Sequence, residues 1–226
     1  MAKRAQAPVI FDDHRPETRK KNAPLTARTE SQADLIHQLT HRDLTFAVGP
    51  AGTGKTFVTT VFACDLLRTG RVDRIIVTRP MVSSEDDIGF LPGTAEEKFA
   101  PFFAPVREIM EERMGTSAFN NLVRNRQIEL SPLGFLRGHT FKRAFVIFDE
   151  AQNTTPNQMR LFLTRIGEGS KACVGGDLQQ MDITGTSGLQ DAMERHGHLP
   201  EVGVVTFRPE DCVRSGLVLK LLQGYK

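Results

Sequence analysis

The sequence predicts an α/β fold, a mainly parallel sheet with helices on both faces, and three observations predict it. Short apolar runs alternate with stretches of helical hydrophobic period along most of the chain, which is the order of βαβ units. One run, Leu44 to Val48, leads through a glycine-rich turn directly into a helical stretch. Another, Phe145 to Phe148, ends on two adjacent carboxylates, Asp149 and Glu150. At 226 residues the chain is long enough for one domain or two small ones. We divide it into a basic flexible arm, residues 1–24, and one domain, residues 25–226.

The arm is polar, lacks hydrophobic period, and carries a surplus of three positive charges, so the remainder is near neutral. Helix signals begin at Thr29-Glu30-Ser31-Gln32, and Leu35, Ile36 and Leu39 fall on one face through about Arg42. The strand at 44–48 follows, then a helix over 56–68 that stops near Gly70, then a strand over 73–78. Residues 79–93 hold Pro80, Gly89, Pro92 and Gly93, a breaker density that predicts a long functional loop. Helical patterns at 95–114 and 117–124 come next, and Pro101 and Pro105 are expected to break or kink the first. Further strands are expected at 127–131, 145–148, 172–175 and 202–207, with helices at 156–166, 187–195 and 213–223.

Composition excludes several classes of function. With 39% hydrophobic and 25% charged residues, the chain is neither disordered nor fibrous. A net charge of +2 is too small to declare nucleic-acid binding on its own. No apolar run reaches the roughly 18–20 residues of a membrane span, and the start lacks the apolar segment of a signal peptide. Cys64, Cys173 and Cys212 are odd in number, far apart and flanked by apolar residues, so buried reduced thiols are expected. The expected compartment is the cytoplasm.

Residues 49–56 read GPAGTGKT, the complete G-x-x-x-x-G-K-[ST] phosphate loop, in its required place between strand and helix. Gly49, Gly52 and Gly54 let the backbone turn tightly and aim N–H groups inward, and Pro50, Ala51 and Thr53 complete the cradle. Lys55 is placed to reach the β- and γ-phosphates, and the Thr56 hydroxyl to hold Mg²⁺. Parallel sheets bind ligands at the carboxyl ends of their strands, where Asp149 would join the Mg²⁺ shell and Glu150 would orient or deprotonate the attacking water. The run 172–180 ends a second strand with Asp177 and Gln180, and Gln180 is the candidate sensor of the γ-phosphate or the water.

These pieces occur together with TRP at 78–80, IGFLPGT at 88–94, LSPLGFLRGHTF at 130–141, IFDEAQN at 147–153 and GGDLQQMDI at 175–183. The combination resembles the PhoH-like family, phosphate-starvation-inducible ATPases related to superfamily 1 helicases, and covers residues 29–225 or so. The resemblance is to compact, single-domain forms such as those of bacteriophages, for which the compartment would be the host cytoplasm. It implies a single RecA-like P-loop NTPase domain, ATP and Mg²⁺ as cofactors, and a helicase action on RNA. By the same resemblance, Gln32 would read the adenine edge and Arg79 would line the nucleic-acid path or couple it to ATP. Ser215 and Gly216 stand where a His-Pro pair is common, and Glu85-Asp86-Asp87 where a basic residue is common.

Superfamily 1 helicases place ATP between two lobes, the second of which supplies an arginine to the transition state, and one lobe fits here. The arginine is therefore expected from a neighbouring copy in a homo-oligomer, with a head-to-tail contact closing a hexameric ring. Arg208, Arg214, Arg165, Arg137 and Arg143 are the candidates. Two functions follow: an ATP-driven motor on single-stranded RNA or DNA, or an ATP-dependent switch acting on a protein partner without unwinding. Phe90, Phe102, Phe103 and Phe135 could stack on bases if exposed, but they are expected in the core.

Overall fold

Thr29 begins α1 (Glu30–His41) because its hydroxyl accepts the Gln32 N–H, satisfying one of the free donors of the first turn. The remaining elements are β1 (Leu44–Val48), α2 (Lys55–Arg68), β2 (Arg74–Thr78), α3 (Ala95–Met114), α4 (Thr116–Arg124), β3 (Ile128–Leu130), β4 (Ala144–Phe148), α5 (Pro156–Leu163), β5 (Lys171–Gly176), α6 (Gly188–His196) and β6 (Val202–Thr206). The computed structural model describes residues 23–81, 95–136, 138 and 140–213, without the side chains of 95–98. Most of the arm, most of the loop after β2, the expected helix over 213–223, Phe90, Arg137 and Arg214 lie outside the described residues.

The six strands form one sheet in the order β3-β2-β4-β5-β1-β6, and every pairing is parallel. This is a RecA-like P-loop domain, with β5 inserted between the phosphate-loop strand β1 and the carboxylate strand β4. Register brings the strand ends level: Val48 lies opposite Gly176 on one side and Thr206 on the other, and Thr78 lies opposite Phe148. The turns that leave β1, β4 and β5 therefore meet along one edge.

Central strands buried on both faces need apolar residues at successive positions, and all five residues of β4 are buried. On one face Ile75, Val77, Phe145 and Ile147 pack against Leu35, Val58, Phe103 and Met110 of the first helices. On the other, Phe46, Val146, Phe148 and Val174 pack against Met159, Phe162 and Leu189 of α5 and α6. Cys64 and Cys173 are buried, and burial pushes both thiols up to about 12.

Three expectations are corrected. Pro101 and Pro105 do not end α3, which runs unbroken for 20 residues. Each proline removes one donor from the ladder, while Phe103, Val106 and Met110 hold the helix against the core. Phe135 is not a core residue but 58% exposed. It occupies a 3₁₀ turn in which Leu133 and Leu136, three apart, take the buried side, and Phe99 meets its ring edge-on at 5.7 Å. Cys212 is half-buried rather than buried.

Candidate nucleotide site at the carboxyl edge of the sheet

The phosphate loop joins β1 to α2, and Gly54 precedes the helix in the left-handed region at φ 88°. A Cβ there would also lie 2.7 Å from Gln32 Nε2, so both conformation and space call for glycine. No side chain caps the first turn of α2, so its N–H groups and dipole are available to an anion. Gly52, Gly54, Lys55 and Thr56 line a cleft of about 230 Å³ with Asp149, Glu150, Gly176, Asp177 and Gln180. The structure thus brings together residues that stand more than a hundred positions apart in sequence.

Lys55 Nζ donates to the Gly49 carbonyl at 2.6 Å and the Pro50 carbonyl at 2.8 Å, spanning the loop. Burial pulls its ammonium below the usual lysine range, and the negative charges of Asp177, Asp149 and Glu150 oppose that pull. The Thr56 hydroxyl donates to Asp149 Oδ1 at 3.1 Å, joining the first turn of α2 to the end of β4. Burial and the neighbouring Glu150 raise the Asp149 carboxyl, against the Thr56 hydrogen bond and the Arg79 charge. A buried, crowded carboxylate beside a threonine hydroxyl is a fitting donor set for a hard divalent cation, which offsets the cost of that negative charge.

Glu150 occupies left-handed backbone, φ 53° and ψ 33°, an uncommon conformation for a non-glycine residue and one found at functional sites. Gln180 Nε2 donates to Asp177 Oδ2 at 2.7 Å, so the amide and carboxylate of the β5 turn act as a unit facing the cleft. Sequence reasoning offered the Asp177 carboxylate beside the Gln180 amide as a possible sensor, chose Gln180, and gave Gln152 no role. Gln152 bridges the Glu150 carboxylate and the 177–180 turn. Its place in the IFDEAQN run was the available signal.

Gln32 lies beside the loop, 4% exposed, with Nε2 donating to the Thr53 carbonyl at 2.9 Å and Oε1 accepting the Arg28 N–H. Its amide is engaged in joining the loop to α1. Arg79 is half-buried at the end of β2. Its Nη1 donates to the Phe102 carbonyl at 3.0 Å, and the guanidinium stacks over the Phe102 ring at 5.5 Å. Among the arginine candidates, Arg143 forks onto Asp73 at 2.8 and 3.1 Å at the opposite edge of the sheet. Arg165 follows α5, with Nη2 reaching Thr164 Oγ1 at 3.4 Å. Arg208 is exposed just beyond β6, on the same edge as the cleft.

A family model described as PhoH-like protein matches residues 24–226. The chain is 43% identical over 210 residues to Protein PhoH of Escherichia coli (strain K12), covering 91% of this chain and 59% of that one. It is 38% identical over 207 residues to the PhoH-like protein of Bacillus subtilis (strain 168), covering 91% and 65%. The chain thus spans about three-fifths of the length of these curated relatives. Among solved structures, the large terminase from a thermophilic bacteriophage aligns with a TM-score of 0.49 at 11% identity, over 86% of this chain and 49% of that one. On the family match and these identities, the chain belongs to the PhoH-like protein family.

Proposed function

We propose that this chain is a Mg²⁺-dependent ATPase that acts on single-stranded nucleic acid, RNA foremost, as a ring-forming helicase or translocase. The observation that carries the reading is the convergence of Lys55, Thr56, Asp149, Glu150 and Gln180 on one cleft at the open end of α2. The glycine loop and Lys55 bind and orient the phosphate chain, and Thr56 with Asp149 would hold Mg²⁺. The ion supplies charge neutralisation at the phosphoryl group. Glu150 orients the attacking water and accepts its proton, and Gln180 with Asp177 senses the terminal phosphate.

Family membership supports ATP hydrolysis, and the names of the curated relatives add no nucleic-acid substrate. The nucleic-acid part of the reading rests on Arg79, which lies between Asp149 and α3, and on the exposed Phe135 ring near the same edge. Among the described residues no arginine lines the cleft, and the ring reading has an arginine of one copy, Arg208 being the described candidate nearest the cleft edge, completing the site of the next.

Steady-state ATP hydrolysis with and without single-stranded RNA or DNA, on protein whose solution mass is measured at the same concentration, tests this. Stimulation by a strand with a mass near six subunits is expected. Hydrolysis by a ring that no strand stimulates would replace the motor with a switch acting on a protein partner. Glu150→Gln should lower turnover by about 10²–10⁴-fold while nucleotide still binds. Unchanged turnover in that variant would remove Glu150 from the mechanism.

A further inference from the structure

Gln152 is 1% exposed, and each polar atom of its side chain is engaged at the cleft. Nε2 donates to Glu150 Oε2 at 2.7 Å and to the Gln180 carbonyl at 3.2 Å, and Oε1 accepts the Asp177 N–H at 3.1 Å. Gly176 makes this approach possible, because a Cβ there would lie 2.6 Å from Gln152 Oε1. The backbone of Gln152 is fixed as well: its carbonyl accepts the Ser187 hydroxyl at 2.9 Å. The following residue repeats the pattern, since Asn153 Nδ2 donates to Asp182 Oδ2 at 3.0 Å and its Oδ1 accepts the Asp182 N–H at 2.8 Å. The turn after β4 and the turn after β5 are thus laced together by amide side chains, and one end of the lacing is the Glu150 carboxylate.

A buried amide satisfied by backbone alone would serve only to close the two turns. Here one of its two donors is spent instead on the carboxylate of a residue held in left-handed backbone. We propose that Gln152 is the positioning residue for Glu150, and that it makes the orientation of that carboxylate follow the state of Asp177 and Gln180. A shift of the 177–180 turn moves both anchors of the amide, and the donor aimed at Glu150 moves with them. The inference rests on the ATPase reading above and adds to it a route by which the sensing turn commands the catalytic carboxylate.

The test is a double-mutant cycle. Gln152→Glu keeps the shape and an acceptor for the Asp177 N–H but replaces the donor with a charge like that of Glu150. Gln152→Met keeps the volume without charge, and secures the test if a buried extra carboxylate unfolds the chain. We expect kcat to fall by about 10²-fold, the loss that follows from about 1 Å of misplacement at a reacting group. KM and the dissociation constant of a fluorescent ADP analogue should stay within about threefold of wild type, on the expectation that a group acting on the chemical step leaves ground-state binding intact. In a Glu150→Gln background, residual single-turnover hydrolysis should fall no further, because the group through which Gln152 acts is already gone. An equal loss in both backgrounds, a loss confined to binding, or wild-type kcat in the variants would overturn the assignment. A wild-type chain that hydrolyses no nucleotide would overturn the ATPase reading and this inference together, whereas a hydrolysing wild type with indifferent Gln152 variants would overturn this inference alone.

Discussion

The first turns of α2 and α5 meet the same physical problem with opposite solutions. Each leaves backbone N–H groups without helical partners. At α5 the chain satisfies them internally: the Thr155 hydroxyl accepts the Gln158 N–H, the Gln158 side chain accepts the Thr155 N–H, and Pro156 brings no donor at all. At α2 the cap is Gly54, and no side chain closes the turn. An open turn is not sufficient for a site, since α4 also begins on an uncapped glycine, Gly115. What distinguishes α2 is its position at the carboxyl edge of the sheet, where Lys55 faces Asp149, Glu150 and Asp177. One helix start is finished for stability, and the other is left for a ligand to finish.

The contrast breaks most severely at Lys55. Lys55→Ala should lower turnover by about 10²–10³-fold and also weaken nucleotide binding, because the lysine faces the phosphates in ground and transition states alike. Turnover assays paired with titration of a fluorescent nucleotide measure both, and retained binding with lost turnover would confine Lys55 to the chemical step. Gly54→Ala comes next. A side chain at φ 88° with Gln32 Nε2 at 2.7 Å should cost about 1–2 kcal/mol and lower the melting temperature, with nucleotide binding weakened in parallel. A melting temperature equal to wild type would show that the loop relaxes freely.

Thr155→Ala sharpens the comparison from the closed side. Losing the cap should cost about 1 kcal/mol, or roughly 2–4 °C by calorimetry, with hydrolysis unaltered. In the absence of Mg²⁺ and nucleotide, Asp149→Asn should shift the melting temperature with the opposite sign. Because burial raises the folded-state pKa of Asp149, its ionisation costs stability as pH rises above the unfolded value near 4, and the full cost is reached above the folded value. The asparagine variant keeps an acceptor for Thr56, so without Mg²⁺ or nucleotide it should melt a few degrees above wild type at neutral pH. That gap should close as pH falls through the folded value toward 4. A constant gap across this range would remove the carboxylate's titration as the cause.

How legible all this was depended on whether the signal was local. The loop at 49–56, the strand ending at Asp149 and the parallel order of strands lie in contiguous residues, and each was read from the sequence. The continuity of α3 was not, because Pro101 and Pro105 announce a break while the packing of Phe103, Val106 and Met110 is a tertiary fact. Phe135 was misplaced for the same reason: its exposure depends on which side of a single 3₁₀ turn meets the core. Gln152 was visible as a letter in the carboxylate motif, but its function depends on a partner turn 25 and more residues away.

The half-buried Cys212 has a practical meaning. Two of the three thiols are buried and held protonated at ordinary pH, so a maleimide or iodoacetamide dye has one accessible cysteine to find on the native chain. That cysteine precedes Val213, whose N–H donates to the Gly52 carbonyl of the phosphate loop at 3.0 Å. A fluorophore attached there, with no cysteine engineered in or out, would report loop rearrangement in real time as nucleotide arrives and leaves.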